Sequence, residues 1–229
     1  MSSVEEPTLS EGLATTRSIR RYSDVAVTEE QLAKTLFLAT RAPSGSNRQP
    51  FRFVVLRDGP TAATVRALLA DGAQSVWAEK SARQEFPTSK AASKTARMVA
   101  AMDAYVASFA DAPVIVLPCM VRYRDPVVSE GASIYPAVQN LLLGARASGL
   151  GGALTMFHQV REAEIRAAIG LPERAFIAAT ITLGVPAGSH GPVRRRPLGD
   201  LVFEDRWDAS ASWAIDPPGT KNTGGPRNP

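Results

Sequence analysis

The sequence is poor in the residues from which several common kinds of site are built. Among 229 residues there are one cysteine and two histidines. The single cysteine, Cys119, excludes an intramolecular disulfide, and its position in the apolar run 113–119 indicates a buried thiol rather than a nucleophile. Neither His158 nor His190 stands in a recognisable nucleophile motif. No spacing of His, Cys, Asp and Glu suggests a metal site, so residue-based hydrolytic or metal chemistry is not indicated.

Long apolar runs and a strong net charge are also missing. No uninterrupted apolar run approaches the roughly 18 residues of a membrane-spanning helix. The first residues lack the basic and then apolar regions of a signal peptide, so we expect a cytoplasmic protein. A net charge of +4 is compatible with an anionic ligand. It does not indicate nucleic-acid binding, because the basic residues form one short cluster with little aromatic interleaving.

What the sequence does contain is typical of a soluble α/β protein. Hydrophobic residues make up 45% and charged residues 21%, which suffices for a core, and the length fits one domain or one protomer of an intertwined oligomer. Four or five apolar strands alternate with amphipathic helices, which predicts an α/β or α+β sandwich. The predicted elements include a short helix from 13–16 after a loose arm over 1–12, a helix capped by Thr28 and Gln31, a helix capped by Thr61, a buried strand over 114–117, an apolar helix over 131–147 stopped by Gly149, and one strand over 176–184.

A polar loop between two prolines stands out, because it leads directly into an apolar strand over 53–56. Between Pro43 and Pro50 five side chains can form hydrogen bonds: Ser44, Ser46, Asn47, Arg48 and Gln49. A polar loop attached to a core strand is a common way to hold a polar ligand. An ordinary helix-to-strand connection is the alternative.

A glycine-rich stretch near residue 150 does not fit a dinucleotide fingerprint. Gly149 and Gly151 have the required spacing, but the third glycine would fall on Leu154, and a predicted helix rather than a strand comes first. The Rossmann interpretation is therefore excluded.

The polar loop follows an upstream segment, Thr16-Arg17-Ser18-Ile19-Arg20-Arg21-Tyr22. An Arg-Ser-x-Arg segment, a helix and then a Pro-Ser-x-x-Asn-x-Gln-Pro loop together resemble the FMN-dependent nitroreductase family, and the similarity continues to about residue 207. The resemblance implies an α+β (α/β sandwich) nitroreductase-like fold, with a mixed central sheet flanked by helices, in an intertwined homodimer. It implies an FMN-binding domain over 1–207 with a variable segment covering the active site over 71–111, and an extended tail over 208–229 that wraps the partner subunit.

The resemblance also implies a set of FMN contacts. Arg17 and Ser18 would meet the phosphate with Arg194 and Arg196, and Arg20 would lie near the N1–C2=O edge and tune the flavin electrostatically. The polar loop would reach the flavin of the other subunit. Thr16 departs from the pattern, because many relatives have Arg there. The full implied set is Arg17, Ser18, Arg20, Ser44, Gly45, Asn47, Gln49, Gly151, Gly152, Thr155, Arg194 and Arg196.

The activity implied by the resemblance is hydride transfer from NAD(P)H through FMN to a nitroaromatic, quinone or similar small acceptor. The lack of acid–base machinery agrees with a flavoenzyme, in which the cofactor carries the reaction. Two alternatives keep FMN: a flavin-fragmenting or dehalogenating relative, and a non-catalytic FMN-binding module. In the segment 71–111, Trp77, Phe86 and Tyr105 are candidate pocket walls, although aromatic residues that only pack helices together are the simpler interpretation.

Overall fold

A computed structural model describes residues 6–86 and 93–223. The chain divides into two compact units, Met1–His190 and Gly191–Pro229. In the described part of the first unit the helices and strands follow in this order: α1 Leu9–Thr15, α2 Glu29–Ala39, β1 Phe51–Leu56, α3 Pro60–Ala82, α4 Lys94–Ala107, β2 Val114–Val121, α5 Tyr135–Ala147, β3 Gly151–Thr155, α6 Glu162–Ala168, β4 Ala175–Ile177 and β5 Thr180–Gly184. Within the described ranges no helix is both long and apolar enough to cross a bilayer.

The five strands form one sheet in the order β1-β2-β5-β3, with β4 also paired to β2. Val116 of β2 lies opposite Val55 on one side and Ile181 on the other. Every strand pairing in the described residues is antiparallel. The sandwich is as predicted, but the expected mixture of strand directions is not found here. The connections that contain helices are long enough to join either parallel or antiparallel strands. Their length therefore does not determine the strand directions.

Strand β2 is the centre of the core, because its two faces belong to two different layers. Val114, Val116 and Met120 pack with α2 and α5. Ile115 and Leu117 pack with α3 and α4 on the opposite face. A strand covered on both faces reads as a continuous apolar run rather than an alternating one. The run predicted over 114–117 therefore marks the middle layer of a three-layer α/β/α sandwich.

The starts of three helices test the capping predictions. The box on α2 is confirmed, because the Thr28 side chain accepts from the backbone N–H of Gln31 and the Gln31 side chain accepts from the N–H of Thr28. The loose arm is wrong for residues 9–12, since α1 begins at Leu9 behind the cap Thr8. Thr61 does not cap α3, because Pro60 already occupies the first turn, where its missing N–H costs nothing.

Helix α5 ends as predicted but begins later. Residues Val128–Ser133 form a 3₁₀ helix, and α5 starts at Tyr135 rather than at 131. At its other end Gly149 has φ +74°, and the N–H of Leu150 donates to the carbonyl of Ala145 at 2.8 Å. This arrangement is a Schellman cap, for which glycine is preferred because it adopts positive φ without strain.

The strand predicted over 176–184 is interrupted. Cys119 of β2 pairs with Ile177, while Val116 pairs with Ile181, so the second strand carries one residue more than β2 between these points. The extra residue forms a bulge opposite Pro118, which has no N–H to offer the ladder. The result is two short strands, β4 and β5, instead of one long one.

In its described residues the segment between β1 and β2 contains two α-helices, α3 and α4. Helix α3 runs for 23 residues and continues to Ala82, and Trp77 stacks on Phe86 with ring centroids 5.8 Å apart. The break predicted at Pro87 lies outside the described residues.

Candidate functional site

The polar loop adopts a strained backbone. Ser46, Asn47 and Gln49 have φ values of +51°, +51° and +49°, in the left-handed region that side chains other than glycine rarely adopt. Each such residue costs on the order of 1–3 kcal/mol, and strain of this kind concentrates at binding sites. This finding favours a binding loop over an ordinary connection.

Local hydrogen bonds hold the loop in this shape. The N–H of Gln49 donates to Ser44 Oγ at 2.9 Å, and the Gln49 side chain donates to Asn47 Oδ1 at 3.1 Å. The N–H of Gly45 donates to Ser133 Oγ at 3.1 Å, which ties the loop to the 3₁₀ helix before α5. Residues 45–49 are exposed in the protomer. The loop is therefore fixed in shape, while its tip faces outward.

The segment around residues 17–20 is attached to strand β3 by one backbone hydrogen bond. The N–H of Ile19 donates to the carbonyl of Gly152 at 2.9 Å, and the Ile19 side chain is buried. Arg17, Ser18 and Arg20 are exposed. The Arg17 guanidinium donates to the carbonyl of Ser189 at 2.9 Å. Anchoring by the buried Ile19 leaves the polar residues on either side of it facing solvent.

Arg20 lies over an aromatic ring without a carboxylate partner. Its guanidinium carbon is 5.8 Å from the ring centroid of Tyr105, a distance typical of a cation–π contact. Within the described part of residues 6–190, no carboxylate lies within ion-pair distance of Arg20. Its hydrogen-bond donors are therefore available to a ligand.

Three hydroxyl groups, two of them on buried residues, lie beneath this contact. Thr182 Oγ1 is hydrogen-bonded to Tyr105 Oη at 2.8 Å and to Tyr22 Oη at 2.7 Å. Burial raises the pKa of Tyr105 to about 12, and it raises the pKa of Tyr22 well above its ordinary value. Both phenols are therefore neutral at physiological pH and place no negative charge beside Arg20.

A cavity of about 690 Å³ opens at this point, a size typical of small-molecule sites. Its walls include Arg20, Arg21, Tyr22, Asp24, Tyr105 and Asp111. The combination of an aromatic surface and an available cation suits a planar ligand that carries negative charge.

Comparison with known proteins identifies the family of this chain. A sequence model of the nitroreductase family matches residues 13–185, a span that contains the segment around Arg20, the polar loop and all five strands of the sheet described above. The chain belongs to the nitroreductase family. The family predicted from the two motifs is thereby confirmed.

Individual relatives agree with this assignment. The chain is 31% identical over 197 residues to an NADH dehydrogenase of Thermus thermophilus, covering 82% of this chain and 91% of the relative. A protein of Desulfovibrio desulfuricans, assigned as a nitroreductase and solved in complex with FMN, is 29% identical, with 89% and 99% coverage and a TM-score of 0.62. A mutant of NfnB from Sphigopyxis sp. strain HMH, an FMN- and NADPH-dependent nitroreductase, has a TM-score of 0.67 at 23% identity, with 87% and 99% coverage, and shows the shared fold.

Three other predicted site residues of this nitroreductase-family chain, Gly151, Gly152 and Thr155, contribute to packing and hydrogen bonding within the chain itself. A Cβ on Gly151 would lie 2.6 Å from the Ile19 side chain, and one on Gly152 would lie 2.8 Å from the carbonyl oxygen of Thr182. Both glycines are therefore required by packing. The hydroxyl of Thr155 donates to the carbonyl of Thr180 at 3.3 Å. Their roles toward a cofactor stay predictions.

Arg194 and Arg196 belong to the second compact unit, residues 191–229, and both are exposed. The Arg196 guanidinium lies 3.6 Å from Asp200 within that unit. Trp207 and Trp213, which the tail prediction assigns to the partner subunit, are 86% and 61% exposed. Convergence of these arginines with Arg17, and the predicted domain boundary at residue 207, stay predictions.

Sequence reasoning missed the hydroxyl network and a cluster of cations near the polar loop. Thr180 and Thr182 alternate with apolar residues along the buried strand β5, and this alternation was a signal for a polar network on one face. The cation cluster joins Arg48, Tyr123 and Arg124 and had no local signal. In the described ranges no group of His, Cys, Asp and Glu is arranged to hold a metal ion.

Proposed function

We propose that this protein is an FMN-dependent oxidoreductase that takes hydride from NAD(P)H and reduces a nitroaromatic, quinone or similar small acceptor. The observation that carries the proposal is Arg20, a cation without a carboxylate partner in the described part of residues 6–190, at the wall of the 690 Å³ cavity of a nitroreductase-family chain. FMN supplies N5 as the hydride carrier when it is bound.

The donor set of the chain fits FMN. The exposed Arg17 and Ser18 suit a phosphate, for which the planar fork of an arginine is well matched. Thr16 Oγ1 is buried without a hydrogen-bond partner in the described part of residues 6–190. One hydroxyl group next to Arg17 is therefore still able to form a hydrogen bond. Arg194 and Arg196 would complete the phosphate contacts in place of the arginine that Thr16 replaces.

Each residue has a role in this proposal. Arg20 would hold a positive charge beside the N1–C2=O edge, where the reduced ring gathers negative charge, and would thereby raise the reduction potential. Tyr105 would keep the guanidinium in place from below. Ser44, Asn47 and Gln49 would reach the ring bound to the partner protomer, so the working unit would be a homodimer. The strain in their loop agrees with such a role.

The decisive experiment is an absorbance spectrum of the purified protein followed by anaerobic addition of NADPH or NADH. We expect bands of oxidised flavin that bleach on addition and return when a nitroaromatic or quinone is supplied. A colourless protein that stays colourless with added FMN would refute the proposal. Conversion of FMN itself would support a flavin-fragmenting activity, and bound flavin that NAD(P)H does not reduce would support a non-catalytic binding module.

Substitution of Arg20 tests the residue assignment. Arg20→Gln should weaken FMN binding and lower the potential, by about 30 mV for each 1.4 kcal/mol of stabilisation lost in a two-electron couple. Arg57→Gln is the matched control, because Arg57 is an exposed arginine whose ion-pair partner among the described residues is the exposed Glu29. Unchanged affinity and potential in Arg20→Gln would remove Arg20 from the site.

A further inference from the structure

Two arginines share one exposed aromatic ring beside the polar loop. The guanidinium carbons of Arg48 and Arg124 lie 4.2 Å and 5.3 Å from the ring centroid of Tyr123. The Tyr123 side chain is 46% exposed, and both arginines are exposed. Two cations held against one ring repel each other, and an anion that settles beside them removes that repulsion.

Several other arginines in the described part of the first unit already have strong partners. Arg66 donates to four backbone carbonyls, and Arg161 pairs with Asp71 at 2.6 Å. For Arg48 and Arg124, in contrast, no carboxylate among the described residues up to 190 lies within ion-pair distance. The guanidinium donors of both are open to a ligand.

The cluster adjoins a cavity of about 240 Å³ whose walls include Gly45, Arg122, Tyr123, Arg124, Glu130 and Ser133. Two of these charges cancel, since the Arg122 guanidinium makes two hydrogen bonds to Glu130, at 2.6 and 2.9 Å. This pairing holds the pKa of Glu130 below its usual range, so the carboxylate stays ionised and hydrogen-bonded to Arg122. The charge of Arg124 lowers the pKa of Glu130 further, but among the described residues up to 190 Arg124 makes no ion pair, so this wall keeps one net positive charge.

The position of the cluster connects it to the proposed reaction. Arg48 belongs to the same strained loop as Asn47 and Gln49, and the backbone of Gly45 both walls the cavity and bonds to Ser133. In the homodimer proposed above, a substrate lying against the flavin bound to the partner protomer would meet Arg48 and Tyr123 next to the loop residues that are assigned to that flavin.

We propose that Arg48, Tyr123 and Arg124 select substrates that present an anionic group beside a planar aromatic ring. The ring would stack on Tyr123, and the anion would accept charge-assisted hydrogen bonds from the guanidiniums. This inference rests on the proposed function for its location. The anion has two sources among the substrates of that reaction: the 2′-phosphate of NADPH, or a carboxylate on the acceptor.

The test compares substrates that differ only in the anion. One pair is 4-nitrobenzoate and 4-nitrobenzamide, and the other is NADPH and NADH. We expect Arg48→Gln and Arg124→Gln to lower kcat/KM for the anionic member of at least one pair by about tenfold or more, with less than a twofold change for the neutral member. Loss confined to NADPH identifies the phosphate as the anion, and loss confined to 4-nitrobenzoate identifies the acceptor.

Two controls separate charge recognition from a structural effect. Arg57→Gln removes an exposed positive charge elsewhere and should change neither preference, and Arg124→Lys should retain most of the preference because it keeps the charge. Equal losses for the anionic and neutral members of both pairs, or no loss for either, would overturn the inference.

A binding measurement keeps the inference independent of turnover. Calorimetric titration of the purified protein with 4-nitrobenzoate, its amide, NADP⁺ and NAD⁺ should show the same preference and the same loss in the variants. If the wild type fails to oxidise NADH with the neutral acceptor yet binds the anionic ligands through these arginines, the proposed function fails and the anion site stands. Binding without any preference for the anionic members would refute the site.

Discussion

The buried hydroxyl of Thr182 should be worth several kilocalories per mole to the fold. Thr182 is fully buried, and its Oγ1 bonds to Tyr22 and Tyr105 at 2.7 and 2.8 Å. Replacing it with valine keeps the shape of the side chain and removes the hydroxyl. Tyr22 would retain its bond to the carbonyl of Ile19 at 2.9 Å. Tyr105 would be left without a hydrogen-bond partner among the described residues.

The magnitude follows from these partners. A buried phenol without a partner costs about 1–3 kcal/mol, and the second lost bond adds about 0.5–1.5 kcal/mol. We therefore expect Thr182→Val to lower the free energy of unfolding by about 2–4 kcal/mol. For a chain of this length each kcal/mol shifts Tm by about 2–4 °C, so Tm should fall by roughly 5–15 °C.

Chemical and thermal denaturation of four proteins measures the effect: the wild type, Thr182→Val, Tyr105→Phe and the double variant. In Thr182→Val with Tyr105→Phe the phenol that had no partner is gone, so the double variant should lose less than the sum of the two single losses. Thr182→Ser is the matched control, since it keeps the hydroxyl and loses only one methyl group, at a cost of about 1 kcal/mol.

The network would be refuted if Thr182→Val were as stable as the wild type within about 0.5 kcal/mol, which is the usual limit of additivity. It would also be refuted if Thr182→Ser lost as much stability as Thr182→Val, because the lost hydroxyl would then not be the cause.

Three further outcomes are expected. Burial lowers the pKa of His158 below its ordinary value, so the unfolded chain takes up a proton near pH 6.5 that the folded protein resists, and stability should be full above that pH and fall below it; urea denaturation at pH 7.5 and 5.5 measures this loss, which should be smaller in His158→Gln. Burial raises the pKa of Cys119 to about 11, so thiol reagents should label the protein only once denaturant unfolds it, and rapid labelling of the native protein would contradict the buried site. Gln49→Gly should relieve a positive φ and leave stability unchanged or higher by up to about 1 kcal/mol, while FMN binds more weakly; lower stability with unchanged FMN affinity would argue against a ligand role for this side chain.

Much of the fold followed from local patterns. The apolar run of β2 predicted a strand covered on both faces, the Thr28 and Gln31 box marked the start of α2, and Gly149 marked the end of α5. These features depend on residues close together in the chain, so their spacing alone predicts them. The two polar motifs, in their order, indicated the family.

Features decided by contacts between distant segments could not be predicted. The bulge between β4 and β5 depends on Pro118 in the facing strand, more than fifty residues earlier in the chain. The resemblance assigns Gly151 and Gly152 to the cofactor, and that role stays a prediction, but it did not indicate that Ile19 and Leu183 lie against these glycines within the chain. A glycine records that space is restricted but not which group restricts it.

The candidate site shows the same division. The residue types expected at an anionic flavin could be recognised in the sequence. Arginine and amide side chains supply the hydrogen-bond donors that such a ligand needs, whatever the fold around them. Only the tertiary structure placed Tyr105 beneath Arg20 and brought Tyr123 and Arg124 to Arg48. Composition and local spacing determined which chemistry the chain can carry. The sheet and the connections between its strands decided which side chains meet, because contacts between residues far apart in the sequence depend on the packing of the whole unit.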